Sequence, residues 1–435
     1  MQRRLGKIAL LVVVQVLIFL LTGEVVLRIL PARLMGNVGP RRMNIRFCDF
    51  GPWFTPHQRT RYSGDCFDAY PVTTNAFGMR DRERTLEKPE GMMRVSVLGD
   101  SYPAALQVAD GKYFTAVAED LLKAERLPVE VLNFGFSGYG TGGELLLYRR
   151  MVRRFGSDVI VVIFYPGNDI RNNSMKLDYL AYGSKLEDYG SSSAEPYGYF
   201  SRTGEALHER PNRRLDSPAK DFLKQNVLHR SCFLDFAYSK LLYLRKVRAA
   251  RGFEEQDRGQ ADLEPEPGAP GVSDSKRTDW EEAWKMAELL LKAFDREVRA
   301  DGGKFLLVVL PDLALSETGG GLQASKRHNR IIALASTIRL DYLDLSPIWL
   351  EMIRRREFVP ADLVLPCDGH WNERGNRVAA EVFARWLEPR VIAWRGGSAQ
   401  AGVPGGEGLR EAAPGAFSAS QGSARDQAPG MGRAR

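Results

Sequence analysis

The chain has 435 residues, 44% of them hydrophobic and 26% charged, which excludes a globally disordered or fibrous protein. Its net charge of +7 is spread along the sequence rather than gathered into aromatic-interleaved basic stripes, so a nucleic-acid partner is not expected. This length accommodates one large domain with insertions, or two ordinary ones.

The first element is a targeting segment. Arg3, Arg4 and Lys7 precede Ile8–Thr22, which is apolar apart from Gln15 and Thr22. A helix of that length spans about 22 Å, short of the ~30 Å hydrocarbon core, and extension to Leu30 reaches a full span. The extension takes in Glu24 and Arg28, an i,i+4 pair that can neutralise itself near the interface. No Ala-x-Ala-like site follows, so residues 1–30 are expected to be an uncleaved signal anchor and transmembrane helix rather than a cleaved signal peptide. Arg33, Arg41, Arg42 and Arg46 blur the charge asymmetry, but a short basic N-terminal tail favours a cytoplasmic start and a body on the periplasmic or extracellular side.

Residues 31–90, with Pro40, Pro52, Pro56, Pro71 and several glycines, read as an irregular pre-domain segment. Within it, Thr74–Asp81 reads as a turn packed on the domain, without chemistry of its own. Cys48 and Cys66 flank a Pro/Gly-rich loop: they pair in an oxidising compartment, or all four cysteines stay separate thiols. None of the four has metal-ligand spacing.

From residue 91 the pattern is α/β. Strands are predicted at Arg94–Leu98, Val129–Asn133 and Val159–Tyr165, the last an uninterrupted apolar run suited to burial on both faces. Helices alternate with them. Phe114, Val117, Ala118, Leu121 and Leu122 form one helical face, and Leu145, Tyr148 and Val152 mark another over Glu144–Arg154. Between 171 and 277 the rhythm breaks into an insertion, with a Ser/Gly-rich loop, a helix near Asp221–Ala250 and an acidic, Pro-rich piece at Glu254–Ser275. The core resumes with helix Trp280–Arg299, strands Lys304–Leu310 and Asp341–Leu345, and a helix from Glu373 to Leu387 capped by Asn372. Strands alternating with helices imply a parallel sheet with right-handed crossovers. The domain is expected to end near 392. Residues 393–435, rich in Gly, Ala, Ser and Pro, are expected to be a disordered tail.

Three of these strands end in polar or glycine clusters, where open parallel sheets place their ligand sites. They are Gly99-Asp100-Ser101, Asn133-Phe-Gly135-Phe-Ser137-Gly138-Tyr-Gly140-Thr141 and Pro166-Gly167-Asn168-Asp169. A fourth cluster, Asp368-Gly-His370-Trp371-Asn372, precedes the last helix. A serine, a histidine and an acid are the parts of a nucleophilic hydrolase. Ser101 would attack an ester carbonyl, His370 would take its proton and Asp368 would orient the ring. The oxyanion needs preset donors: the Ser101 N–H, a glycine N–H after the second strand (Gly135, Gly138 or Gly140) and the Asn168 amide are candidates. His57, His208, His229 and His328 lie outside these clusters, and Asp100 and Asp169 read as turn formers.

These four blocks, in this order, resemble those of the SGNH (GDSL-type) hydrolases over roughly residues 70–390, and Thr74–Asp81 resembles a segment found in large membrane-anchored members. The resemblance implies a three-layer αβα, flavodoxin-like fold with Ser101, Asp368 and His370 as catalytic triad and Ser101, Gly138 and Asn168 as oxyanion hole. Gly-Asp and Gly-Asn-Asp also occur in metallophosphoesterases, but those sites need further histidines at the strand ends, so no metal and no organic cofactor are expected. The expected reaction is acyl- or acetyl-ester cleavage outside the cytoplasmic membrane through an acyl-serine intermediate. The expected substrate is an ester-bearing small molecule, lipid or O-acetylated glycan. Two departures stand out. The Asp-x-His spacing resembles polysaccharide O-acetyltransferase relatives, making carbohydrate O-acetyl transfer the alternative chemistry. Pro103 sits two residues after the serine, where small or polar residues are usual. A non-catalytic envelope polysaccharide-binding protein is the remaining alternative.

Overall fold

Five apolar stretches pair side by side in the computed structural model, which describes residues 2–30, 43–64, 66–174, 176–178, 199–210, 219, 222–223, 226–249, 264, 273–315 and 321–396. We number them β1 (Met93–Gly99), β2 (Val129–Gly135), β3 (Val159–Phe164), β4 (Lys304–Val309) and β5 (Tyr342–Asp344). They form one sheet in the order β2-β1-β3-β4-β5, and every pairing is parallel. That is the doubly wound, flavodoxin-like order. Val95 pairs with Val159 and Met93 with Val129, so β1 sits between its two neighbours, and every residue of it is buried.

The period of two along each strand sorts the core into two layers. Val159, Val161 and Ile163 of β3 face one side, with Val95, Val97, Leu306 and Val308. The helices α1 (Phe114–Ala124), α5 (Leu345–Arg354) and α6 (Glu373–Arg395) cover that side. Ile160, Val162 and Phe164 face the other, beneath α2 (Thr141–Arg150), α3 (Asp274–Ala300) and α4 (Lys326–Thr337). The result is three layers, αβα. Asn372 caps α6 as expected, accepting from the Gly375 N–H at 3.0 Å.

Several expectations are corrected. The pre-domain segment is not irregular throughout: Ile45–Cys48 pairs with Gly51–Phe54 and Arg59–Gly64 with Phe67–Thr73, both antiparallel. Pro52 and Pro71 mask these ribbons in the sequence, yet each stands in a two-stranded ribbon where a proline costs few ladder bonds. The strand expected at Asp341–Leu345 stops at Asp344, whose carboxylate takes the Ser346 N–H and starts α5. The helix expected over Glu144–Arg154 starts at Thr141 and gives way after Arg150 to a 3₁₀ turn. Cysteine pairing also differs: Cys66 is joined to Cys367, not Cys48, with Cα atoms 5.7 Å apart. The partner lies 301 residues away, a distance over which local spacing carries no information.

The N-terminal helix runs Gln2–Ile29, and its Arg4–Ile29 portion is long and apolar enough to cross a membrane. Arg28 Nε lies 2.6 Å from Glu24 Oε1, the expected self-neutralising pair. Of the expected insertion, the structure describes the hairpin Tyr199–Thr203/Ala206–Arg210 and a helix, Cys232–Ala249. The Ser/Gly-rich loop, nearly all of Glu254–Ser275, residues 31–42 and the tail beyond 396 lie outside the described residues.

Candidate active site

The order of the sheet reverses between β1 and β3, because β2 lies outside β1 while β3, β4 and β5 continue the other way. A crevice at the carboxyl ends follows from such a reversal. β1 delivers Ser101 to it and β3 delivers Asn168. The Ser101 hydroxyl lies 2.7 Å from His370 Nε2. His370 Nδ1 is hydrogen-bonded to Asp368 Oδ1, which also accepts the His370 backbone N–H at 3.0 Å. Residues far apart in the chain thus meet in the arrangement in which an imidazole can deprotonate a serine. The one-residue spacing works because Gly369 takes φ +75° and lets the turn fold the carboxylate back onto its own histidine.

The turn that carries Ser101 is a helix of only four residues, Ser101–Ala104, capped by Asp100 through the Tyr102 N–H at 3.0 Å. Pro103 fits within this first turn, where a missing N–H leaves no helical bond unmade. Its ring fills the space over Gly99, where a Cβ would fall 2.6 Å from Pro103 Cγ. Gly135 has a similar packing role: a Cβ there would lie 2.3 Å from the Ala104 nitrogen.

Three glycines competed for the oxyanion role in the sequence, and their backbones now differ. The Gly135 N–H is taken by Asn133 Oδ1 at 2.9 Å. Gly140 caps α2, and a Cβ there would meet Asn172 at 2.9 Å. Gly138 takes φ +85°, and among the described residues no acceptor engages its N–H. Asn168 Nδ2 donates one hydrogen to Asp100 Oδ2 at 2.9 Å, which leaves the second free. Ser101, Gly138 and Asn168 therefore lie on adjacent strand ends with donors to spare.

Sequence reasoning missed three contributors. Gln107 Nε2 donates to the second oxygen of Asp368 at 3.2 Å. The Tyr102 ring lies against His370, 5.3 Å between centroids, and against Trp371 at 4.8 Å. Trp371 is otherwise packing, as expected, with Trp349 and Phe114 beside it. The third is Arg80, whose buried guanidinium donates to the carbonyls of Ala104, Ala105 and Val108 just after the nucleophile helix. The Thr74–Asp81 turn that carries it was expected only to pack on the domain.

Charge in the site is graded by burial. For His370, burial favours the neutral ring, but the hydrogen bond and charge of Asp368, with Asp100 adding, outweigh it and raise its pKa above 6.5. For Asp368, burial pushes upward, and the contacts with His370 more than offset it, holding the pKa below 3.8. Behind them Glu144 and Asp169 are pushed well up by burial, then by the charge of neighbouring Asp100. Neutral acids there spare the crevice a cluster of negative charge.

A sign follows for pH. An imidazole that must be neutral gains activity as pH rises through a midpoint above 6.5, and kcat/KM followed from about pH 5 to 9 reads it. Asp368→Asn removes the main raising influence, so the midpoint moves down and the plateau falls; an unmoved midpoint would assign the titration elsewhere. For stability the Asp368 share is full above 3.8 and lost as pH falls through its lowered folded value. The His370 share is full below 6.5 and lost as pH rises through its raised folded value.

Asp368 and His370 sit on a short exposed turn between Val364 and Trp371, and the Cys66–Cys367 disulfide ties it to the Arg59–Thr73 ribbon. Reducing that bond, or Cys66→Ser, is expected to lower kcat about 10–100-fold with little change in KM, since misplacement by about 1 Å suffices for such a loss. Equal kcat with and without reductant would show that the turn holds its own geometry.

Fold and site together define a doubly wound α/β protein with a serine–histidine–aspartate constellation at the switch point of its sheet. No family model matches the chain, and no curated protein matches its sequence. Solved structures similar to it include an acetylxylan esterase, Axe2, from Geobacillus stearothermophilus (12% identity, 67% of this chain and 93% of that one, TM-score 0.35). They also include TesA (12% identity, 68% and 99%, TM-score 0.33) and the psychrotrophic esterase EstA from Pseudoalteromonas sp. (10% identity, 69% and 98%, TM-score 0.32). At such identities and scores no residue role or substrate passes from them to this chain.

Proposed function

We propose that the protein is a serine-dependent ester hydrolase whose catalytic domain spans residues 91–392. The 2.7 Å approach of Ser101 Oγ to His370 Nε2, with Asp368 on the far ring nitrogen, carries this reading. His370 takes the serine proton as Oγ bonds to the acyl carbon. The tetrahedral oxyanion is met by the N–H groups of Ser101 and Gly138 and the amide of Asn168, and the imidazolium returns the proton to the leaving alcohol. Water then attacks the acyl-serine with His370 again as base. The side chains of His370 and Asp368 are 28% and 25% exposed, so an acceptor from solution can reach the base.

The disulfide supports a body on the oxidising side of the membrane, with the N-terminal helix as its anchor. An O-acetylated glycan or acyl ester outside the cytoplasm suits that placement. The test is covalent. A fluorophosphonate probe is expected to modify Ser101 in the full-length protein and to leave the His370→Ala variant unmodified. Modification of another serine, or none in the wild type, would overturn the reading. Release of acetate from p-nitrophenyl acetate without acetylated sugar, when a polysaccharide is added, separates hydrolysis from transfer.

Asn168→Ala is expected to lower kcat about 100–1,000-fold at nearly constant KM, the loss usual for one oxyanion donor. A rise in KM alone would make Asn168 a binding residue.

A further inference from the structure

Outside the N-terminal helix, the exposed large apolar side chains of the described residues gather in one place. Phe222, Leu223, Val227, Leu234, Leu241 and Leu244 are all 40–66% exposed, while elsewhere only Leu315, Val359 and Ile392 stand out. Leu234, Tyr238, Leu241 and Leu244 fall on one face of the helix Cys232–Ala249, at about 100° per residue. Cys232 and Asp235 are buried on the other face. The polarity is inverted for a helix facing water.

This helix is fastened to the outer end of the apolar N-terminal helix. Glu24 accepts from Ser231 Oγ at 2.7 Å and from the Cys232 and Phe233 N–H groups at 3.2 and 3.0 Å, so a carboxylate of one helix closes the N-terminus of the other. Arg28 donates to the Arg230 carbonyl at 3.1 Å. Phe233 lies edge-on to Phe19 at 5.5 Å, and a Cβ on Gly23 would fall 2.4 Å from its ring. Glycine at 23 is what lets the two helices meet. The exposed apolar face is therefore continuous with the apolar surface of residues 5–21, and the same medium surrounds both.

We propose that Phe222, Leu223, Val227 and the helix Cys232–Ala249 form a second membrane contact, with the Leu234/Tyr238/Leu241/Leu244 face seated in the headgroup–acyl boundary of the bilayer. The inference rests on the reading of the N-terminal helix as a membrane anchor. Two contacts joined through Glu24 hold the body at a fixed height and orientation over the membrane, which a single flexible tether does not.

The test uses the full-length protein in phosphatidylethanolamine/phosphatidylglycerol vesicles containing a diazirine-bearing lipid, with cross-links mapped by mass spectrometry. Lipid cross-links are expected on residues 5–29 and also on 222–244. In a Leu241→Asp/Leu244→Asp variant those on 222–244 fall at least tenfold while those on 5–29 persist. Cross-links on 5–29 alone overturn the second contact and leave the anchor standing. Cross-links on neither segment overturn both. Unchanged lipid labelling of 222–244 in the double variant would show that the Leu241/Leu244 face is not what meets the lipid and would overturn the proposed seating.

Discussion

Ser101→Ala is expected to reduce kcat/KM on p-nitrophenyl acetate by about 10⁴–10⁶-fold, equivalent to about 5–8 kcal/mol of transition-state stabilisation. His370→Ala should lose a similar amount, and the double variant no more than the worse single one, because nucleophile and base act as a unit. The physical reason is the 2.7 Å hydrogen bond: without the imidazole the serine keeps its proton, and without the hydroxyl the imidazole has nothing to activate. Ser101 sits at the first position of a helix held by Asp100 and Arg80, so the alanine variant should unfold at the wild-type temperature. Steady-state kinetics together with thermal unfolding separate a chemical loss from a folding one. Equal rates for wild type and both variants would remove the hydrolase reading altogether.

Arg80→Met is expected to destabilise the fold by about 3–5 kcal/mol, the range found when one partner of a buried charged contact is removed. The Arg80 side chain has no solvent exposure. Its guanidinium donates to Ala104 O at 3.0 Å and Val108 O at 2.5 Å, bonds Ala105 O, and lies 3.6 Å from Asp110 and 4.9 Å from the Tyr113 ring centre. Methionine fills the volume but removes the donor that Arg80 supplies to the Ala104 and Val108 carbonyls and leaves Ala105 O with only the Val108 N–H at 3.2 Å. Ala105, the residue that ends the nucleophile helix, stands at φ +44°, a strained conformation that its neighbours must hold. Loss of the brace should therefore also lower kcat at temperatures where the variant is still folded. Urea unfolding and kcat at about 15 °C measure the two effects. A stable variant with normal kcat would mean that Asn133, which donates to the Pro103 carbonyl at 2.9 Å, suffices to hold the turn.

The parts of the fold legible in the sequence were those dictated locally. β3 is an apolar run flanked by turn residues, and burial on both faces requires that composition. Helix α1 shows its face through the spacing of Phe114, Ala118 and Leu122, all buried against the sheet. Elements with mixed patterns were lost: α4 opens on Lys326-Arg-His-Asn-Arg330, and α5 begins directly on the last residue of β5, so its apolar residues merged with the strand.

The site divides in the same way. Ser101, Asn168 and the Asp368–His370 pair stood out as candidates because polar side chains at strand ends and before a helix form short contiguous blocks in the sequence. Which glycine suits the oxyanion was not readable: the Gly135 N–H is taken by Asn133 Oδ1, and of the three only Gly138 stands at positive φ. Gln107 on Asp368, Arg80 on the nucleophile turn, Cys66 on Cys367 and Glu24 on the helix at Cys232 were invisible for one reason. Each joins residues distant in the chain, and no local preference links a glutamine or a cysteine to one partner tens or hundreds of residues away. The sequence by itself determined the chemical inventory and the alternation of strands and helices. Only the tertiary structure decided how that inventory is held in place, because side-chain partners are chosen by the packing of the sheet and its layers.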